Sequence, residues 1–229
     1  MTASEFSAVW PALSLSLKVA LWTSAITLVL GTALGYLLAR GRFHGRELLD
    51  TLLTLPMVLP PTVLGYYLLV LIARRGPLGG WLDEQFGVQL VFTWQAAVIA
   101  ATVVALPLVF KPARAAFETV DGQLETAARV LGLPDWAVFL RITLPLAWRG
   151  IFAGLLLAFA RAMGEFGATL MVAGSIPGQT QTLSAAIYDA VQAGRDDKAL
   201  FLAVVMSIVC LAVLLGAGRL RGGRPGRGT

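Results

Sequence analysis

Apolar residues in this chain run in long blocks, and the polar residues gather in the short stretches between them. Blocks cover residues 19–39, 52–72, 92–110, 150–172 and 200–217. Each approaches or reaches the roughly 20 apolar residues that a helix needs to cross a hydrocarbon layer about 30 Å thick. The pattern predicts an all-α polytopic membrane protein with about five transmembrane helices. Residues 10–17, with Trp10 and several serines, either extend the first helix or lie in the interface. A shorter apolar stretch at 183–191 reads as a helix too short to cross, and the count becomes six only if it does.

Two blocks carry interruptions. The second contains Leu55-Pro56-Met57-Val58-Leu59-Pro60-Pro61. A proline removes a backbone donor and clashes with the preceding turn, so this span is expected to bend or unwind. In a membrane the freed carbonyls must be buried in protein or face a watery cavity. Pro56, Pro60 and Pro61 are therefore gate candidates, with a packed kink as the alternative, and Pro107 in the third block is a weaker sign of the same kind. The fourth block holds Arg161 and Glu165 at i, i+4 spacing on one helix face, where each lowers the other's burial cost. They read either as a structural ion pair or as part of a pathway. Gly164 and Gly167 beside them permit close helix approach or flexing.

Between the third and fourth blocks lies a polar insert at 124–145, too charged for lipid. Residues 124–131 have the composition of a short helix, with Glu125 and Arg129 spaced i, i+4. Gly132 follows where a left-handed C-cap suits glycine. Asp135 is placed to cap a second helix carrying Trp136, Phe139 and Leu140, and Pro145 closes the element. Two short helices joined at a glycine turn make a compact knob. Ala127 and Ala128 would let it enter a groove closely, with Trp136 and Phe139 as apolar anchors.

Composition agrees with the block pattern: the chain is 57% hydrophobic and 14% charged, with a mean hydropathy of +0.77. Loop charge then orients it. Arg40, Arg42, Arg46, Lys111, Arg114, Arg129, Arg141, Arg149, Arg219, Arg221, Arg224 and Arg227 fall on one side, against Lys18, Arg74, Arg75, Arg195 and Lys198 on the other. By the positive-inside rule the N-terminus lies outside, the C-terminus inside, and the insert faces the cytoplasm. This asymmetry accounts for the net charge of +5 without a nucleic-acid partner. No basic residue precedes Lys18, so the first helix is expected to be retained rather than cleaved as a signal. The tail after Leu220, rich in glycine and arginine, is expected to be a disordered basic anchor.

Little in the chain offers chemistry. Cys210 is its only cysteine and lies in an apolar block; His44 is its only histidine and sits in a basic loop. No phosphate-binding glycine-lysine loop, zinc helix motif or serine nucleophile elbow is present. The chain is not expected to be an enzyme, and any ATP hydrolysis belongs to another chain.

Glu125, Ala127, Ala128 and Gly132, followed after nine residues by Ile142, Leu144 and Pro145, resemble the "EAA" loop of membrane subunits of ATP-binding-cassette importers. The family's glutamate usually sits six residues before the glycine, where this chain has Thr126, so Glu125 is one residue early. The segment 55–61 with Gly65-Tyr66 and Arg74-Arg75-Gly76 resembles the molybdate permease branch. Gly164-Glu165-Phe166-Gly167 is similar to both molybdate and sulfate permeases. Ile176-Pro177-Gly178-Gln179-Thr180-Gln181-Thr182, with Ala186-Ile187-Tyr188, is nearer the molybdate branch.

The resemblance implies a single permease domain over 1–229 whose loop at about 111–149 docks a cytoplasmic ATPase dimer. ATP and magnesium would sit on that partner, and no cofactor on this chain. It further implies a homodimer in the bacterial inner membrane, with the oxyanion pathway along its axis. An external binding protein would deliver the ligand. Thr180 and Gln181, with Ser175, Gln179 and Thr182, would offer donors to an oxyanion at the outer mouth. Sulfate or tungstate are alternative substrates. An ion-driven transporter or channel is the alternative of a different class; it calls for inverted repeats with paired broken helices, and no second copy of the 56–61 pattern is present. An intramembrane enzyme ranks last among the readings, since Arg161 and Glu165 offer no nucleophile or metal set.

Overall fold

The computed structural model describes residues 3–41 and 43–221. The expected basic positions Arg42, Arg224 and Arg227, and the glycine-arginine tail from residue 222, lie outside them. All regular structure among the described residues is helical. Among the described residues four helical segments are long and apolar enough to cross a membrane. One bent pair passes the same test when taken together, which makes five if the pair is one span.

Helix α1 (Ala3–Arg40) is continuous, so residues 10–17 extend the first span. Lys18 and Arg40 are 22 residues apart on it, about 33 Å along a helix, close to one hydrocarbon thickness. The second span is broken: α2 (Arg46–Val58) stops at Leu59, α3 (Pro61–Ile72) restarts after Pro60, and the axis turns by 114° between Arg46–Val58 and Pro61–Phe86. A short α4 (Pro77–Phe86), which the block pattern did not separate, follows at the far end of the bundle. There Asp83 accepts from Arg74 Nε at 2.8 Å and from Gln89 Nε2 at 3.3 Å.

Helix α5 (Trp94–Glu118) is the centre of the bundle. Its most apolar stretch is 61% buried, against 11% for the last helix. Pro107 and Pro112 lie inside it without ending it. Two glycine pairs at i, i+4 spacing let neighbours press onto α5. On α1, a Cβ at Gly31 or Gly35 would come within 2.8 Å of the Val109 or Ala113 side chain. On α8 (Leu144–Met163), a Cβ at Gly150 would lie 2.6 Å from Ala116 Cβ, and one at Gly154 2.6 Å from the Leu108 carbonyl. Between helices in lipid, close backbone approach of this kind supplies much of the attraction.

The fourth block departs from its expected bounds at both ends. Its helix begins at Asp135, inside the insert, and runs to Met163. The chain then breaks over residues 164–166 and resumes as the seven-residue α9 (Gly167–Ala173). Helix α10 (Leu183–Gln192) has ten residues and does not cross; the last crossing is α11 (Asp196–Arg221). The count among the described residues is therefore four, or five with the bent pair as one span, and α10 adds no sixth.

Candidate functional site

The insert is a knob at one end of the bundle. Asp121 caps α6 (Gly122–Val130), its side chain accepting from the Gln123 N–H at 2.9 Å. The helix ends in the hydrogen-bond pattern of a Schellman turn: Leu133 N–H to the Ala128 carbonyl at 3.1 Å and Gly132 N–H to the Arg129 carbonyl at 2.9 Å. Gly132 has φ +86°, a backbone that glycine adopts at least cost.

The two faces of α6 differ. Glu125 and Ala128 are buried against the bundle. Thr126, Ala127, Val130 and Leu131, with residues 121–123, line an open cleft, and Val130 and Leu131 are 82% and 81% exposed. Trp136 is also exposed. Of the two adjacent alanines, Ala127 thus faces out and Ala128 in. Phe139, expected as an outward anchor, turns inward instead and stacks edge-on with Tyr36 at 4.8 Å.

Three further expectations about the knob change. Glu125 does not pair with Arg129. It accepts from Arg40 at 2.9 Å and from Thr143 at 2.7 Å, because its face of the helix is turned into the bundle. Arg129 donates to Asp135 at 2.7 Å, which raises the guanidinium pKa further. Asp135 is thereby occupied and caps nothing, Pro134 holding the cap position; a charge-assisted bond outweighs a cap. Finally, Pro145 does not close the element. α7 (Asp135–Val138) passes through a π turn at Phe139–Thr143 straight into α8, with Leu144 N–H reaching back to the Phe139 carbonyl. The widened turn accommodates a proline that has no N–H and would clash with a regular preceding turn. Around this turn Ile142 and Leu144 are half-buried and Pro145 is exposed.

The second part of the site is where the two broken spans meet. Pro61, opening α3, packs on Gly167, opening α9: a Cβ at Gly167 would lie 2.9 Å from Pro61 Cβ. One turn on, Gly65 packs against Ala168 and Met171. Pro60 sits at the cap of α3, and Pro56 lies within α2. Glu165 lies in the break itself and is 2% exposed. Its Oε1 accepts from the Ala168 N–H at 3.0 Å, at the positive end of α9. Its Oε2 lies 2.6 Å from Arg161 Nη1, as an ion pair without hydrogen-bond alignment. The i, i+4 pair expected from the sequence forms, although Glu165 is past the helix end. Arg161 keeps 35% of its side chain exposed, so the guanidinium is presented while the carboxylate is hidden.

Thr180 and Gln181 are engaged within the chain. Thr180 is buried and its Oγ1 accepts from the Ile176 N–H at 3.1 Å. Gln181 Nε2 donates to Asp189 at 2.7 Å and to Ser175 at 3.3 Å, and Ser175 also donates to Asp189 at 2.6 Å. These residues shape the loop over 174–182 around Asp189, leaving the Gln181 amide no donor for the aqueous side. Sequence reasoning gave Arg40 only a topological role and passed over Thr143 and Asp189. Isolated polar residues carry no pattern until the fold brings their partners together.

The comparisons with known proteins agree with this architecture. The molybdenum transport system permease protein ModB of Escherichia coli (strain K12) is 45% identical over 207 residues, 90% of each chain. ModB of Haemophilus influenzae is 43% identical over 204 residues, 87% of this chain and 89% of that one. Among solved structures, the inward-facing MetNI methionine ABC transporter superposes with a TM-score of 0.74 at 17% identity, covering 96% of this chain and 97% of that one. Residues 31–220 match the family described as the inner membrane component of binding-protein-dependent transport systems. With its apolar spans and that match over most of its length, the chain is a multi-pass inner-membrane protein and belongs to this transport family.

Proposed function

We propose that this chain is the permease subunit of an ATP-driven molybdate importer, working as a homodimer with the anion pathway along the dimer axis. A cytoplasmic ATPase dimer carrying ATP and magnesium docks on the two inserts, and an external binding protein delivers the oxyanion. The observation that carries the reading is the division of α6: a buried, ion-paired inner face and a bare apolar tip at Val130 and Leu131 beside an open cleft. Exposed apolar surface at the tip of a charged knob is a mark of a protein partner. The likeness to molybdenum permeases supports the substrate.

The orientation proposed from loop charge places the N-terminus outside and the insert in the cytoplasm. It is supported by how basic residues sort by bundle end. Arg40 pairs with Glu125, Arg46 with Glu118 and Arg114 with Asp50 at the insert end. Lys18 lies over Trp94 at the opposite end. In operation, closure of the ATPases on ATP would draw the inserts together and rock the helices between inward-open and outward-open. ATP can drive that change only by binding one state more tightly. Arg161, half out of the wall beside the meeting of the two breaks, is the group proposed to meet the anion, with Pro56, Pro60, Pro61 and Glu165 shaping the gate. Thr180 and Gln181 contribute by holding the outer loop in form.

Gly132→Val tests the docking surface. A β-branched residue at φ +86° is expected to lose about 1–2 kcal/mol and to open the turn that presents Leu131. The variant should insert normally but retain several-fold less ATPase in co-purification. Retention equal to the unmodified chain would count against the docking reading.

A further inference from the structure

We infer that Arg40, Glu125 and Thr143 form the joint through which displacement of the insert reaches the first and fourth spans. The inference rests on the reading of the insert as the ATPase-docking surface. Its subject is the opposite face of the same helix.

Glu125 Oε1 and Arg40 Nη2 together tie four segments. Glu125 Oε1 accepts from Arg40 Nη2, in the last turn of α1, at 2.9 Å. The same oxygen accepts from the Thr143 hydroxyl, at the end of the π turn, at 2.7 Å. Arg40 Nη2 also donates to the Val120 carbonyl at 3.3 Å, in the bend between α5 and α6. Glu125 itself belongs to α6, and its side chain is 8% exposed, so it does not reach the cleft that a partner would fill. Beneath the joint, Tyr36 of α1 meets Phe117 of α5 and Phe139 of the π turn at centroid distances of 5.3 and 4.8 Å.

A helix of nine residues has little stability of its own. With its outer face bare, α6 is held by Ala128, by this polar joint and by the exposed Arg129–Asp135 pair. Among the described hydrogen bonds only the joint ties it to α1, so a push on its tip reaches α1 through the joint. Water is largely excluded at Glu125, so the joint is less screened than a surface pair. On one side it leads into α1. On the other, Thr143 stands on a helix that continues without interruption to Met163, two residues before Glu165. The π turn therefore does more than admit Pro145: it places the Thr143 hydroxyl on the carboxylate.

The test uses the complete complex of this chain, its ATPase and its binding protein in proteoliposomes, with ATP hydrolysis and labelled molybdate uptake read together. Arg40→Ala is expected to keep the ATPase in co-purification but raise ATP consumed per anion by about tenfold, within the range of coupling between linked sites. Arg40→Lys, which keeps the charge but not the two-way reach, should recover most of that ratio. Thr143→Val, a gentler change that leaves the ion pair intact, should raise it by less than Arg40→Ala. An unchanged ratio in both Arg40→Ala and Thr143→Val would overturn the inference. So would loss of the ATPase from Arg40→Ala when the unmodified chain retains it, since the residue would then support docking itself. If the unmodified chain retains no ATPase, the docking reading fails first and the joint falls with it.

Discussion

Gly154→Leu is expected to prevent the chain from forming a stable bundle. Even a bare Cβ at Gly154 would lie 2.6 Å from the Leu108 carbonyl and 3.1 Å from Val109 Cα, both backbone atoms of α5 that no rotamer change can move. Overpacking in a well-packed interior commonly costs about 1–3 kcal/mol, and here the obstacle is rigid backbone, so the upper end or beyond is expected. The helix that must retreat is α8, which carries the insert at its start and Arg161 at its end. The measurement is yield and thermal stability of detergent-solubilised protein, with Gly216→Leu as control. Gly216, on the exposed last helix, has nothing within 4 Å of its Cβ position. A Gly154→Leu protein as stable as the Gly216→Leu control would mean that α5 and α8 are not in contact there.

Glu165→Ala is expected to be the most damaging single change at the breaks. It strands Arg161 in the last turn of α8, beside the break, and removes the acceptor for the Ala168 N–H at the start of α9. Removing one partner of a fully buried pair typically costs about 3–5 kcal/mol, and the cost here is expected to be lower because Arg161 keeps 35% of its side chain exposed. Arg161→Ala should also destabilise, by leaving a carboxylate that is 2% exposed without its counter-charge. The double variant should recover part of the stability lost by either single, the behaviour of directly coupled residues. Its transport separates the two readings of the pair. If Arg161 meets the anion, the double variant stays folded yet transports little; transport near normal would leave the pair a purely structural one.

The spans and the insert were legible because their signals are local: block length, proline clusters and a glycine between two short helices. The proline-rich second span broke where it was expected to, over residues 59–60. The fourth span was misplaced at both ends for separate reasons. Hydropathy does not register that a helix with a polar first turn at Asp135 continues through a π turn into the apolar block. It is equally blind to the break at Gly164-Glu165-Phe166, where the apolar residues on both sides carry the block across although the helix stops. The glycine pairs at Gly31 and Gly35 and at Gly150 and Gly154 have a readable spacing, yet only the fold says which helix they face.

Side-chain partners were the least legible part. The i, i+4 rule held for Arg161 and Glu165, where the carboxylate is enclosed and the guanidinium partly exposed. It failed for Glu125 and Arg129, which have better partners from other segments: Arg40 lies 85 positions before Glu125 in the chain. Thr180 and Gln181 carry the polar character of a loop between helices, and that character is used to fold the loop on itself around Asp189.

The most direct test of the central claim is uptake of labelled molybdate in cells with and without the gene for this chain, with excess sulfate or tungstate as competitor. The account predicts loss of high-affinity uptake on deletion, its restoration by the intact gene, and resistance of the restored uptake to sulfate. Uptake unchanged by deletion, or restored uptake that sulfate abolishes, would contradict the molybdate assignment.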